Sequence, residues 1–232
     1  MFHTYLYVPL FNTLIFLYQN VSFESFGIAI ILLTLLIRVI LFPLFYKSAK
    51  SQMVMQKLQP LINKIQHDHK DDKEKQAQAL LDLYRKNQVN PFSSILMLFV
   101  QIPVLIALYR LFAVDFASIN FSELYGFISA PDHINTLFLG LIDLKTRSII
   151  MVGLAAVAQY FQGVLTLPKI EKGRELSAPE KMTRQMVYYM PLFTILILWQ
   201  LPSALGLYWL ITSVFSVIQQ IYINKKVKVN IE

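Results

Sequence analysis

Five stretches of the chain are almost free of charge: 27–46, 91–113, 148–167, 186–201 and 205–224. A bilayer's hydrocarbon core is about 30 Å thick and an α-helix rises about 1.5 Å per residue, so runs near twenty residues match one crossing each. Segment 47–90 has a different pattern. Leu58, Leu61, Ile62 and Ile65 fall at i, i+3, i+4 and i+7, and Ala77, Leu80, Leu81 and Tyr84 repeat that spacing, which predicts two amphipathic helices. From His67 to Lys75 no residue is apolar, so this stretch reads as the solvated tip of an antiparallel hairpin. Asn90-Pro91 then ends the second helix and opens the next span. Between the last two runs only Pro202-Ser203-Ala204 remains, enough for a tight turn. The pattern predicts an all-α, polytopic membrane protein with five transmembrane helices and a helical hairpin over 47–90. Residues 1–20 are apolar and aromatic but interrupted by Pro9 and Asn12, without flanking charge. They predict an interfacial helix, with a linker to residue 26; a sixth span is the alternative.

Composition agrees with burial in lipid: 56% hydrophobic and 15% charged residues, with mean hydropathy +0.51, exclude an ordinary soluble domain. A net charge of +7 would suggest an anionic partner in a soluble protein. Here seventeen of the 21 Lys and Arg lie in 47–90, in loop 168–185 and in the tail 225–232. Basic loops stay in the cytoplasm, so the distribution predicts an outside N-terminus, an extracytoplasmic loop over 114–147 and a cytoplasmic C-terminus.

The chemistry is sparse. Without Cys there is no disulfide, thiolate metal site or catalytic thiol. No G-x-x-x-x-G-K-[ST] or G-x-S-x-G motif occurs, and the spans hold no Asp, Glu or His, which argues against nucleotide hydrolysis, covalent catalysis and ion-coupled transport. His67 and His69 sit in the charged tip and read as solvated. We therefore expect no enzyme, no cofactor, no metal and no direct nucleic-acid partner. The exceptional residue is Arg38, about 15 Å into its span. An Arg at that depth costs about 2.5–3.5 kcal/mol and must face a bundle interior or a wet cavity. With no intramembrane carboxylate, its expected partners are water, carbonyls, Thr34 one turn earlier, and Gln101 on the next span. Two further sets, Gln159 with Gln162 and Ser213, Ser216, Gln219 and Gln220, either line a wet groove or join helices.

These residues carry a resemblance. Pro9-Leu10-Phe11-Asn12, Leu33-Thr34-Leu35-Leu36-Ile37-Arg38, Pro43-Leu44, Asn90-Pro91, Gln101-Ile102-Pro103, Tyr189-Met190-Pro191, Pro202-Ser203, Leu207-Tyr208-Trp209 and Gln219-Gln220, in this order, closely resemble the YidC/Oxa family of membrane protein insertases of bacterial plasma membranes. The resemblance implies a hydrophilic, positively charged groove, open to cytoplasm and lipid, in which Arg38 attracts the polar or acidic end of a client. It places Thr34 and Gln101 along the groove and Leu105, Tyr208 and Trp209 along the path by which a client helix slides into lipid. It also implies a mobile hairpin that first receives clients. Nascent membrane proteins and lipids are the implied partners, with the Sec translocon and the ribosome as further candidates. Many relatives begin with a signal anchor and a large external domain or a lipoprotein signal, so this sequence is expected to be a short form. A tail with three Lys makes strong tail-borne ribosome binding unexpected. The competing class is a small transporter or channel with a cationic vestibule.

Overall fold

A computed structural model describes residues 1–113, 121–167, 176 and 178–226; half of the expected loop 168–185 and most of the tail 225–232 lie outside the described residues. The chain is a helical membrane protein. A π-helical turn over His3–Tyr7 leads into α1 (Val8–Asn20), followed by α2 (Phe26–Ile40), α3 (Phe42–Asp68), α4 (Lys73–Lys86) and α5 (Ser93–Ala113). A two-stranded antiparallel ribbon, β1 (Leu137–Phe138) with β2 (Ile142–Asp143), precedes α6 (Ile149–Thr166), α7 (Ala178–Leu198) and α8 (Ser203–Lys226). By length and composition α6 and α8 each suffice to cross a membrane, and the α2–α3 pair supplies a third candidate.

The run predicted as one helix over 27–46 is divided. α2 and α3 meet at Leu41 with a bend of 63°. Pro43, in the first turn of α3, has no N–H to donate back into α2, and its ring crowds the preceding turn, so the helix restarts in a new direction.

The apolar core lies at the end of the bundle nearest β1 and β2. It joins Phe11, Leu14, Ile15 and Tyr18 of α1 to Ile30 and Leu33 of α2, Leu108 and Leu111 of α5, Met151 and Ala155 of α6, and Leu205 and Leu207 of α8. Asn12, the polar interruption in α1, is 1% exposed because the segment before β1 satisfies it: Nδ2 donates to the Glu123 carbonyl at 3.0 Å and Oδ1 accepts from the Tyr125 N–H at 2.6 Å. The same end caps α8. A helix's first N–H groups lack intrahelical acceptors; here Ser203 N–H donates to the Thr146 carbonyl at 2.8 Å and Ala204 N–H to the Leu144 carbonyl at 3.0 Å.

Close approach fixes the start of α2. A Cβ on Gly27 would lie 2.1 Å from Phe138 Cδ2 of β1, so Gly27→Ala forces the ring out of its place. Overpacking of this kind costs about 1–3 kcal/mol. Thermal unfolding in detergent is expected to show a lowered midpoint for Gly27→Ala; an unchanged midpoint would mean that the ribbon yields freely.

The hairpin of α3 and α4 has its own small core, in which Val54, Leu58, Ile62 and Val89 are buried against Leu80, Leu83 and Tyr84. Leu61 and Leu81 of the predicted stripes stay exposed. At the tip Asp72 caps α4. Its Oδ1 accepts from the Lys75 N–H at 3.0 Å and its Oδ2 lies 3.0 Å from Lys75 Nζ, which holds the carboxyl below its ordinary pKa.

Candidate functional site

On four helices the character changes at a common level. α6 passes from Met151, Val152 and Ala155 in the core to Gln159, Gln162 and Thr166 around a cavity; α8 passes from Leu205 and Leu207 to Thr212, Ser216, Gln219 and Gln220. α2 goes from Leu33 to Arg38. α5, running the opposite way, goes from Gln101 to Leu108. The result is a cavity of about 420 Å³ that adjoins the core through Tyr208 and is lined as well by Phe45, Ser48 and Gln52 of α3.

Arg38 is 5% exposed within this lining. Its Cζ stands 4.4 Å from the centroid of the Phe45 ring, a cation–π contact across the α2–α3 bend. Its Nη1 is buried without a hydrogen-bond partner, and no carboxylate pairs with it among the described residues. Gln101 Nε2 donates to the Tyr208 hydroxyl, joining α5 to α8 beside it. Thr194 of α7 donates its hydroxyl to Gln159 Oε1, so that glutamine both lines the cavity and joins two helices. A buried cation among neutral amides and hydroxyls attracts anionic or strongly accepting groups.

Of the residues singled out from sequence, Arg38, Gln101, Leu105, Tyr208 and Trp209 all line the cavity. Thr34 stands apart from it. Its hydroxyl donates 2.6 Å to the Ile30 carbonyl of its own helix, and it is 1% exposed. Leu105 and Trp209 also border a second, apolar hollow of about 290 Å³ with Ile106, Tyr109, Ile197 and Leu201. Phe45 went unnoticed as a partner of Arg38; seven residues on, it would share a face with Arg38 on a continuous helix, and that spacing was the available signal.

The family model described as 60Kd inner membrane protein matches residues 16–230. The chain belongs to this family, that of the YidC/Oxa membrane protein insertases. Membrane protein insertase YidC of Pelobacter propionicus is 33% identical over 221 residues, covering 94% of this chain and 38% of that protein. The YidC of Rickettsia bellii is 34% identical over 229 residues, with 94% and 38% covered. That of Bradyrhizobium diazoefficiens is 32% identical over 229 residues, with 97% and 37% covered. The chain thus spans under two fifths of these relatives' length. Family and apolar helices together make it a bacterial inner-membrane protein.

Proposed function

We propose that the chain is a membrane protein insertase that works through the Arg38 cavity without covalent catalysis or nucleotide hydrolysis. The observation that carries this reading is the adjacency of two unlike spaces: a polar cavity holding a buried cation, and an apolar hollow that shares Leu105 and Trp209 with it. A client's hydrophilic end enters the first, which shortens the apolar distance it must cross. The client's apolar helix leaves by the second, past Leu105, Tyr208 and Trp209, and its transfer out of water supplies the driving force. In this reading five spans cross the membrane, with the N-terminus outside and the C-terminus in the cytoplasm. The hairpin over 47–90 receives clients from the ribosome, alone or beside the Sec translocon.

Photocrosslinking during translation tests it. A photoreactive residue at Tyr208 or Trp209 is expected to capture nascent apolar helices, and one at Thr34, whose side chain is turned to its own helix, to capture far fewer. Absence of client adducts at Tyr208 and Trp209, together with saturable solute flux through purified protein in vesicles, would establish the transporter reading instead.

A further inference from the structure

The cavity holds more amides than attraction of a charge requires. Gln52 of α3, Gln159 and Gln162 of α6, and Gln219 and Gln220 of α8 all border it. Gln219 is 7% exposed, and its Nε2 is buried with no hydrogen-bond partner among the described residues, as Arg38 Nη1 is. An amide N–H withheld from water in this way is costly unless a ligand accepts from it. The polar lining follows α8 from Tyr208 to Gln220, about 18 Å of helix, which equals the length of about five residues of extended polypeptide. An extended chain differs from a helix in leaving its main-chain carbonyls and N–H groups without internal partners, which bars it from lipid. Glutamine answers both groups, since one side chain offers two donors and an acceptor. The protein itself contains an example at the cavity's edge: Gln56 Nε2 donates 2.6 Å to the main-chain carbonyl of Thr166.

We infer that the cavity holds the hydrophilic stretch of a client as an extended strand recognised through its main chain, with Gln219 donating to a client carbonyl. The inference rests on the insertase reading and adds that recognition by the cavity's amides is indifferent to client sequence, in contrast to the charge-selective attraction by Arg38. Two clients that differ only in the translocated tail, one acidic and one made of Ser, Gly and Asn, separate the alternatives in vesicles containing the purified full chain. Gln219→Leu, similar in volume but without the donor, is expected to lower insertion of both clients to a similar degree, about fivefold. Gln219→Glu, which keeps the size and replaces the amide by a carboxyl group, is expected to impair both as well. Thermal midpoints near that of the parent protein exclude misfolding as the cause. If either well-folded variant inserts the uncharged-tail client at the parental rate, the inference is overturned while the insertase reading stands; if the parent protein inserts neither client, both fall.

Discussion

Arg38→Ala is expected to lower insertion of clients with acidic translocated tails by an order of magnitude or more, while clients with uncharged tails lose much less. Two unit charges about 4 Å apart interact by about 4 kcal/mol at the effective dielectric of partly hydrated protein sites. Desolvation of the client's carboxylate removes part of this, but a net of about 1.4 kcal/mol already gives tenfold. The guanidinium contributes this selectively because nothing in its surroundings competes: the Phe45 ring is its neighbour, and no carboxylate pairs with it among the described residues. Removal of a buried cation without an ion-pair partner also relieves a desolvation cost. The variant is therefore expected to unfold no lower than its parent in detergent, which separates loss of function from loss of fold. Arg38→Lys keeps the charge but not the planar fork of donors, and should recover part of the activity. Protease protection of the two client classes in vesicles supplies the measurement; equal insertion of acidic-tail clients by Arg38→Ala and its parent would remove Arg38 from the mechanism.

The second large effect concerns the hairpin. Replacement of residues 50–88 by a short Gly/Ser linker is expected to abolish client capture yet leave the bundle folded. Val54, Leu58 and Ile62 of the replaced segment pack with Val89 in a cluster separate from the bundle core, so the replacement leaves that core's packing in place. The contact of Ser48 Oγ with the Ser93 carbonyl is retained, that of Gln56 with Thr166 is lost, and Gln52 is removed from the cavity lining, so Gln52→Ala alone serves as the control. Crosslinking yield from Trp209 and the thermal midpoint, read on the same preparation, decide the matter. Full crosslinking would make the hairpin dispensable; a collapsed midpoint would make it structural.

The sequence carried the polar exceptions better than the geometry that joins them. Arg38 and Gln101 stood out because an amide or a guanidinium inside an apolar run demands a partner, and both border the cavity. Thr34 satisfied the same-face spacing rule, but a helical threonine can satisfy its hydroxyl on the preceding turn, and here it bonds to Ile30. For Gln159 and Ser216 the residue types left lining and joining equally open. The structure assigns both roles to Gln159, whose Oε1 accepts from Thr194, and Ser216 donates 2.9 Å to the Thr212 carbonyl while bordering the cavity. The break at Leu41 was hidden because hydropathy is blind to direction: Pro43 was visible, yet the residues on either side of it are equally apolar.

That break has an electrostatic consequence. A helix carries a partial negative charge of about half an electron at its C-terminal end, and the interruption at Leu41 gives α2 such an end inside the bundle, with Arg38 in its last turn. The aligned peptide dipoles of α2 therefore favour the guanidinium where a straight, uninterrupted helix would offer it no terminus, by about 0.3–1 kcal/mol for exposed groups and up to about 2 kcal/mol when partly buried. The backbone of α2 thus steadies the guanidinium in the way a carboxylate would, though less strongly. The half-charge of the helix end offsets only part of the guanidinium's positive charge, so Arg38 still draws in a visiting anion, with no acidic side chain paired to it among the described residues.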